Sequence, residues 1–247
     1  MNATEIATIA YTLLRRWPGN VTLWQLMQEH NDLQVYVAGG FLRNIALGQR
    51  LSKDIDLFLG GPSVEQFLNR LSRRGHVTPN AYGKWNWRPS AKCTQYFDLL
   101  PIRDFRVAPR RFFAITELLT HFDFSCNSIA LDLRTGRITD PCGGIESCRR
   151  RELKMNRYDN PEYRPVDPAN PLTEGAARWF RGLHYAAQLN LQIEPRTRRW
   201  LIANQHYLSM KEIFASVQYE PDLSRLADVA KDASAKGSGR KAKCIRS

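Results

Sequence analysis

The stretch YVAGGFLRNIALGQRLSKDIDLFLG, Tyr36 to Gly60, decides how the rest of the chain is read. An apolar run ends at Gly39 and Gly40, a basic amphipathic segment follows, and Asp54 and Asp56 then flank a single isoleucine. LQVYVAG has the composition of a strand, and the residues after the glycine pair read as a helix to about Leu47. DIDLFLG alternates, so it is predicted as a strand with Asp54 and Asp56 on one face and Ile55 and Leu57 on the other. Two carboxylates held that close repel each other unless a cation lies between them.

Oxygen ligands at this spacing suit Mg²⁺, which takes one or two protein carboxylates and completes its shell with water and phosphate oxygens. A strand that ends in Gly-Gly and enters a helix lets backbone N–H groups approach a phosphate, and the helix N-terminus adds partial positive charge. Arg43, one turn into that helix, adds a fork of donors. The pattern predicts a metal–triphosphate site. Two metals there would activate a hydroxyl for attack on an α-phosphate and stabilise the departing pyrophosphate. Either half alone is weak, since a DxD pair is ordinarily a solvated pair and Gly-Gly is ordinarily a turn. Their combination at this spacing carries the reading.

Outward from this stretch, Asp98 in QYFDLLP is the candidate third carboxylate. An acid among Tyr96, Phe97, Leu99 and Leu100 is costly unless paired; the competing reading is an acid at a strand end near solvent. Helices are expected over residues 3–16 and 22–30. SVEQFLNRLSRRG reads as an amphipathic helix capped by Ser63 and stopped by Gly75. Short strands are expected near 83–88 and 93–100, a helix over PRRFFAITELLTHF, and a strand from Asp123 to Leu133 that turns at RTGR. Such a mixture indicates an α/β or α+β domain to about residue 148. NRYDNPEYRPVDPANP is then a linker or loop. From Leu172 onward no strand is convincing: TEGAARWFRGLHYAAQLNL, PRTRRWLIANQ and SMKEIFASV read as helices. The resulting division is a head over 1–155, a helical unit over 156–228 and a disordered basic tail over 229–247.

With 247 residues and 43% hydrophobic content, the chain can bury a core for one large domain or two small ones. No apolar run reaches the roughly 20 residues that span a bilayer, so no membrane partner is expected. The N-terminus carries its acid early and its arginines late, which fits an amphipathic helix rather than a secretory signal. Five cysteines (Cys93, Cys126, Cys142, Cys148 and Cys244) form no CxxC pair. That argues against a zinc site or disulfide framework and for a cytoplasmic location. The net charge of +12 draws polyanions. The charge is concentrated at Arg149–Arg151, at Arg196–Arg199 and in the terminal KGSGRKAKCIRS, expected to be a disordered electrostatic arm. The oligomeric state is not legible.

These residues resemble the nucleotidyltransferase head of the class II tRNA CCA-adding enzyme and bacterial poly(A) polymerase family. VAGGFLRNIALGQRLSKDIDLFL is similar to the family's opening motif. DFSCNSIALDLRTGRITDPCGGIESCRRREL, Asp123 to Leu153, resembles its second and third motifs. EGAARWFRGLHYAAQLNLQIEPRT, Glu174 to Thr197, resembles the neck motif that reads the incoming base. The resemblance covers roughly residues 33–200 in consistent order. It implies an α+β fold: a polymerase beta-like head with a mixed sheet, followed by a small helical neck. It implies a Mg²⁺-dependent, two-metal enzyme that adds NMP from an NTP, ATP and/or CTP, to an RNA 3′ end, with tRNA the first candidate. Asp54 and Asp56 would bind the metals, with Asp98 as the third catalytic carboxylate. Gly39, Gly40 and Arg43 would handle the triphosphate, and Asp123 and Asn127 would support the ribose and triphosphate. Arg178 and Arg181, at i and i+3 on one helix face, would meet the base or the phosphates.

The chain departs from the family pattern at several positions. Asn44 stands where Asp is usual, His121 and Phe122 where two arginines are usual, and His184 where a third neck arginine is usual. Gly175 replaces the Asp that pairs with the base edge. Members also continue into body and tail regions, so the expectation here is backbone binding through Lys and Arg rather than measured recognition of a tRNA elbow. Trp85, Trp87, Trp179 and Tyr185 are candidates for base stacking, against the ordinary reading of tryptophans as core. For His184 the ordinary reading is a core histidine under Tyr185. Two other functions compete: transfer to a protein or small-molecule hydroxyl, as in a toxin, and a catalytically decayed head that only binds RNA.

Overall fold

The computed structural model describes residues 1–49, 53–79, 85–105, 111–159, 162, 164 and 169–229. Helices α1 (Ala3–Leu14) and α2 (Asn20–Glu29) precede strand β1 (Gln34–Ala38), the short helix α3 (Gly40–Ala46) and strand β2 (Asp54–Gly60). Helix α4 (Val64–Ser72) leads to β3 (His76–Pro79), β4 (Trp85–Arg88) and β5 (Tyr96–Pro101). There follow α5 (Ile115–Leu119), β6 (Ala130–Asp132), β7 (Ile138–Thr139), α6 (Gly144–Arg149) and β8 (Glu152–Leu153). The last part holds α7 (Glu174–Gln188), β9 (Gln192–Ile193), α8 (Pro195–Ala203) and α9 (Lys211–Val217).

Seven strands form one mixed sheet in the order β3-β4-β5-β2-β1-β6-β7. The β2–β5 pair is parallel and its neighbours are antiparallel. The alternation read in DIDLFLG is what makes this sheet two-sided. Ile55, Leu57 and Leu59 join Val35, Val37, Phe97, Leu99 and Trp87 in the larger core, which α1 to α4 cover. On the other face Phe58, Ala38, Leu100 and Ala130 pack against Ile115, Leu118 and Leu119 of α5. Among the described residues, that second cover reaches only part of the face and leaves the end holding Asp54, Asp56 and Asp98 without an apolar lid.

The larger core continues into the last part of the chain. Trp179, Phe180, Leu183 and Ala186 of α7 share a cluster with Phe124, Leu153 and Met155. Helix α7 starts where Thr173 accepts the Ala176 N–H, and α8 starts with Pro195 in its first turn and Glu194 accepting from Thr197. The parallel pair of β8 and β9 joins the two parts. Among the described residues no helix is long and apolar enough to cross a membrane.

Several local expectations change. Ser63 is at the N-cap of α4, but its hydroxyl donates to Asp32 Oδ1 at 2.5 Å and makes no side-chain cap. The segment PRRFFAITELLTHF is helical only over Ile115–Leu119, and Arg106 to Arg110 lie outside the described residues. Ala114 is extended (φ −128°, ψ 142°), so Phe112 reaches the second core while Phe113 points out. The expected strand from Asp123 is an isolated bridge of Phe124 to Met155 followed by a 3-10 turn over Ser125–Asn127, and strand β6 begins at Ala130. Asp123 Oδ1 accepts from the Phe124 N–H at 2.8 Å and from Asn127 Nδ2 at 2.8 Å, local bonds that compete with a ladder. β3 and β9 were not legible in the sequence; both are short, β3 pairing with the next strand β4 and β9 with the distant β8. The expected tail beyond Val229, much of the linker and Gly83–Lys84 of an expected strand lie outside the described residues.

Candidate active site

The sheet register builds a row across four strands, three of its members polar. Ala38 of β1, Asp56 of β2, Asp98 of β5 and Asn86 of β4 lie directly across from one another on adjacent strands. Residues in register project to the same face. One step along, Asp54 is paired with Tyr96, whose hydroxyl donates to Asp54 Oδ2 at 3.3 Å. Thus Asp54, Asp56 and Asp98, expected together from the sequence, do share one face.

The carboxylates feel each other. Burial, then the charges of Asp98 and Asp54, push the Asp56 carboxyl up to about 7, against the opposing pull of Arg181 and Arg43. Burial, then Asp54, raises the Tyr96 hydroxyl to about 12, so it remains a donor at neutral pH. An all-oxygen set that crowds negative charge fits a divalent cation of the Mg²⁺ type. Among the described residues no three His, Cys, Asp or Glu side chains form a ready cluster for a metal. A site of one or two carboxylates, completed by water and phosphate oxygens, is what the arrangement matches.

Beside the row, Gly39 has φ +77° and ψ −138°, a conformation that favours glycine. A Cβ there would lie 2.9 Å from Asp56 Oδ2. The glycine is therefore required twice, by backbone angle and by the closeness of the carboxylate. Helix α3 has only seven residues.

Arg43 is buried in a closed ring of side chains. It donates from Nη1 to Asn127 Oδ1 at 2.8 Å, and from Nε and Nη2 to Asn44 Oδ1 at 3.2 and 3.0 Å. Asn127 donates to Asp123, and Asp123 Oδ2 pairs with Arg181 Nη2 at 3.0 Å. Arg181 Nη2 also donates to the Tyr185 hydroxyl at 3.0 Å, and the Tyr185 ring lies 4.7 Å from the Arg43 guanidinium. Arg43, Asp123, Asn127 and Arg181, expected as nucleotide contacts, are thus one assembly. Tyr185, considered beforehand only as a stacking residue, closes it.

Arg178 has a different setting. It is 2% exposed and donates to the carbonyls of Arg157 and Asp159, to Asp159 Oδ1 and to Glu174 Oε1 at 2.5 Å. A Cβ on Gly175 would meet the Tyr207 hydroxyl at 2.5 Å. The first turn of α7 is therefore packed against protein groups. Trp87 and Trp179 are fully buried and donate to the carbonyls of Leu71 and Leu201, while Trp85 is 48% exposed. His184 accepts the Asp222 N–H at 3.0 Å and lies 4.3 Å from the Tyr219 ring; burial lowers its pKa. His121 and Phe122 pack on Phe112 and Phe58, so these positions cover the apolar end of the second face.

Asn86, Arg88 and Tyr96 were missed in the sequence. The alternation in WNWR offered a signal, since it separates Asn86 and Arg88 from the two tryptophans. Which carboxylate they neighbour is set by the register of β4 on β5.

Residues 35–154 match the family model described as the Poly A polymerase head domain. Among curated proteins no sequence relative matches. Among solved structures, a CCA-adding enzyme in complex with CTP is 20% identical with a TM-score of 0.63, covering 89% of this chain and 54% of that one. The Thermotoga maritima CCA-adding enzyme complexed with tRNA is 20% identical with a TM-score of 0.61, covering 89% of this chain and 53% of that one. A tRNA-processing enzyme with CTP is 23% identical with a TM-score of 0.56, covering 76% of this chain and 47% of that one. The chain spans about half the length of these structures, and at such identities the likeness establishes the fold.

Proposed function

We propose that the protein, whose residues 35–154 match the Poly A polymerase head domain model, is a Mg²⁺-dependent nucleotidyltransferase that adds a nucleoside monophosphate to the 3′ end of an RNA, tRNA foremost. The observation that carries this reading is the placement of the Gly39 turn and Arg43 immediately beside the Asp56–Asp98 pair. Phosphate ligands and metal ligands then adjoin on one open sheet face. Similar folds bound to CTP, ATP and tRNA support the choice of nucleotide and acceptor.

In this reading the backbone at Gly39 and Gly40 admits the triphosphate, and Arg43 and Arg181 offer donors to its oxygens. Asp123 and Asn127 hold those two arginines and face the ribose side. Asp54 and Asp56 would hold Mg²⁺, with Asp98 beside them, and the metal would supply Lewis-acid stabilisation of the attacking and leaving oxygens. The acceptor 3′-oxygen forms a bond to the α-phosphorus as the bond to the α–β bridging oxygen breaks. Pyrophosphate leaves with that electron pair, and the hydroxyl proton passes to water on the open side of the row. We assign Arg178 to holding the neck against Asp159, with Arg181 and Tyr185 nearer the nucleotide.

The test is incubation with total RNA and each of the four labelled NTPs, followed by sequencing of the modified 3′ ends. Label should enter RNA with Mg²⁺ and not with EDTA, and Asp54→Ala should abolish it without changing the far-ultraviolet circular dichroism. Labelled product without RNA would move the acceptor to a protein or small-molecule hydroxyl. RNA binding indifferent to Mg²⁺, with no turnover, would reduce the chain to a binding module.

A further inference from the structure

Resting on the nucleotidyl-transfer reading, we propose that β4 carries a binding site for the acceptor terminus: Asn86 Oδ1 accepts a hydrogen bond from the 2′-hydroxyl of the last ribose, and Arg88 Nε donates to the phosphodiester behind it. Asn86 Oδ1 and Arg88 Nε are buried atoms with no hydrogen-bond partner among the described residues. They belong to residues two apart on one strand, so both project to the face that carries the carboxylates. A buried acceptor and a buried donor left open together are costly unless a partner beyond the described residues satisfies them, and a bound ligand is one such partner.

The position along the sheet says which ligand this is. Across the sheet the sequence of sites is the Gly39 turn and Arg43 at β1, Asp56 on β2, Asp98 on β5 and Asn86 on β4. In an in-line displacement the attacking and leaving oxygens stand on opposite sides of phosphorus. The pyrophosphate lies toward Arg43, so the acceptor enters from the other side of the carboxylates, over β4. There the guanidinium of Arg88 is already oriented. Its Nη1 donates to the Cys93 carbonyl at 3.3 Å, and it lies 5.5 Å from the Tyr96 ring. Its Nε remains for a phosphate.

The experiment compares RNA acceptors ending in ribose and in 2′-deoxyribose, on the wild type, Asn86→Ala, Arg88→Ala and Arg88→Lys. Loss of one hydrogen bond of this kind is worth about tenfold. Asn86→Ala should raise KM for the ribose-terminated acceptor about tenfold, leave KM for NTP unchanged, and match the wild type on the 2′-deoxy acceptor. Arg88→Ala should weaken both acceptors alike, with partial rescue by Arg88→Lys. An equal defect of Asn86→Ala on both acceptors, or a parallel rise in KM for NTP, would overturn the proposal. Equilibrium binding of the same two end-labelled RNAs reads the site without turnover, so a protein that transfers no nucleotide still tests it. Wild-type binding that ignores the 2′-hydroxyl would sink the site alone.

Discussion

The two faces of the central sheet are made from alternate residues of the same strands and do opposite things. On one, Ile55, Leu57, Phe97 and Leu99 are fully covered by helices. On the other, the residues between them, Asp54, Asp56, Tyr96 and Asp98, stand in register on an end that α5 does not reach. The covered face gains stability by removing apolar surface from water. The open face gathers like charges that the fold would be more stable without. That cost, beside a glycine bend and on a face otherwise able to pack, is what the proposed metal–nucleotide site would offset.

The largest expected contrast comes from neighbouring residues on opposite faces. Asp54→Ala or Asp56→Asn should lower nucleotide incorporation by at least ~1,000-fold, on the scale of removing a main electrostatic element of an active site, with the fold retained. Leu57→Ala should instead cost about 2–5 kcal/mol of unfolding free energy, the range for a buried leucine, seen in thermal or urea unfolding. If Leu57→Ala proved harmless while Asp56→Asn unfolded the chain, the assignment of the two faces would be reversed.

A second contrast lies on helix α7. Arg178→Ala leaves Glu174 without its close partner, and should destabilise by about 3 kcal/mol, the scale for breaking a buried ion pair, with the affinity for NTP of the folded fraction retained. Arg181→Ala, at a side chain 33% exposed whose loss leaves Asp123 without its ion partner, should destabilise less, by about 1 kcal/mol, and raise KM for NTP about tenfold, the scale of a charge-assisted hydrogen bond. Smaller still is Gly39→Ala, which combines an unfavourable φ with the 2.9 Å approach of Asp56 Oδ2. About 1–2 kcal/mol of destabilisation is expected from such strain, together with weaker Mg²⁺ dependence of activity.

The finest test is the pH dependence of stability without divalent ions. Folding raises the Asp56 carboxyl from its ordinary 3.8 to about 7. The native state then holds this proton more tightly than the unfolded chain, so stability falls as pH rises between about 4 and 7 and the penalty is full above that. Asp56→Asn should therefore melt higher than wild type at pH 8, by up to about 2 kcal/mol once solvent screening is allowed for. The gap should vanish near pH 4 and narrow when Mg²⁺ is added to the wild type at pH 8. A wild type that melts higher than Asp56→Asn at pH 8 in EDTA would contradict the crowding of the carboxylates.

Much of the site was legible before the fold was known, because its first half is local. Gly39, Gly40, Arg43, Asp54 and Asp56 lie within 18 consecutive residues, and strand alternation alone places the two aspartates side by side. Asp98 was found only as an anomaly, an acid among apolar neighbours. Its alignment with Asp56 depends on the parallel pairing of β2 with β5, across some forty residues of intervening chain. Arg178 and Arg181 looked equivalent on the helix. They differ because the segment at Arg157–Asp159 folds back onto one of them and Asp123 meets the other. The segment from Asp123 misled the reading for a local reason: short polar side chains bonded their own backbone and replaced the strand with a turn.

The sequence by itself determined which residues share a strand face and where the chain must bend, and it raised the expectation of metal–phosphate chemistry at the first bend. Periodicity and glycine's conformational freedom are properties of adjacent residues. Only the tertiary structure decided that Asp98 and Asn86 extend the row, that Tyr185 ties Arg43 to Arg181, and that Tyr207 fills the space over Gly175. Those contacts come from strand register and packing between distant segments, where a shift of one residue would turn each side chain to the opposite face.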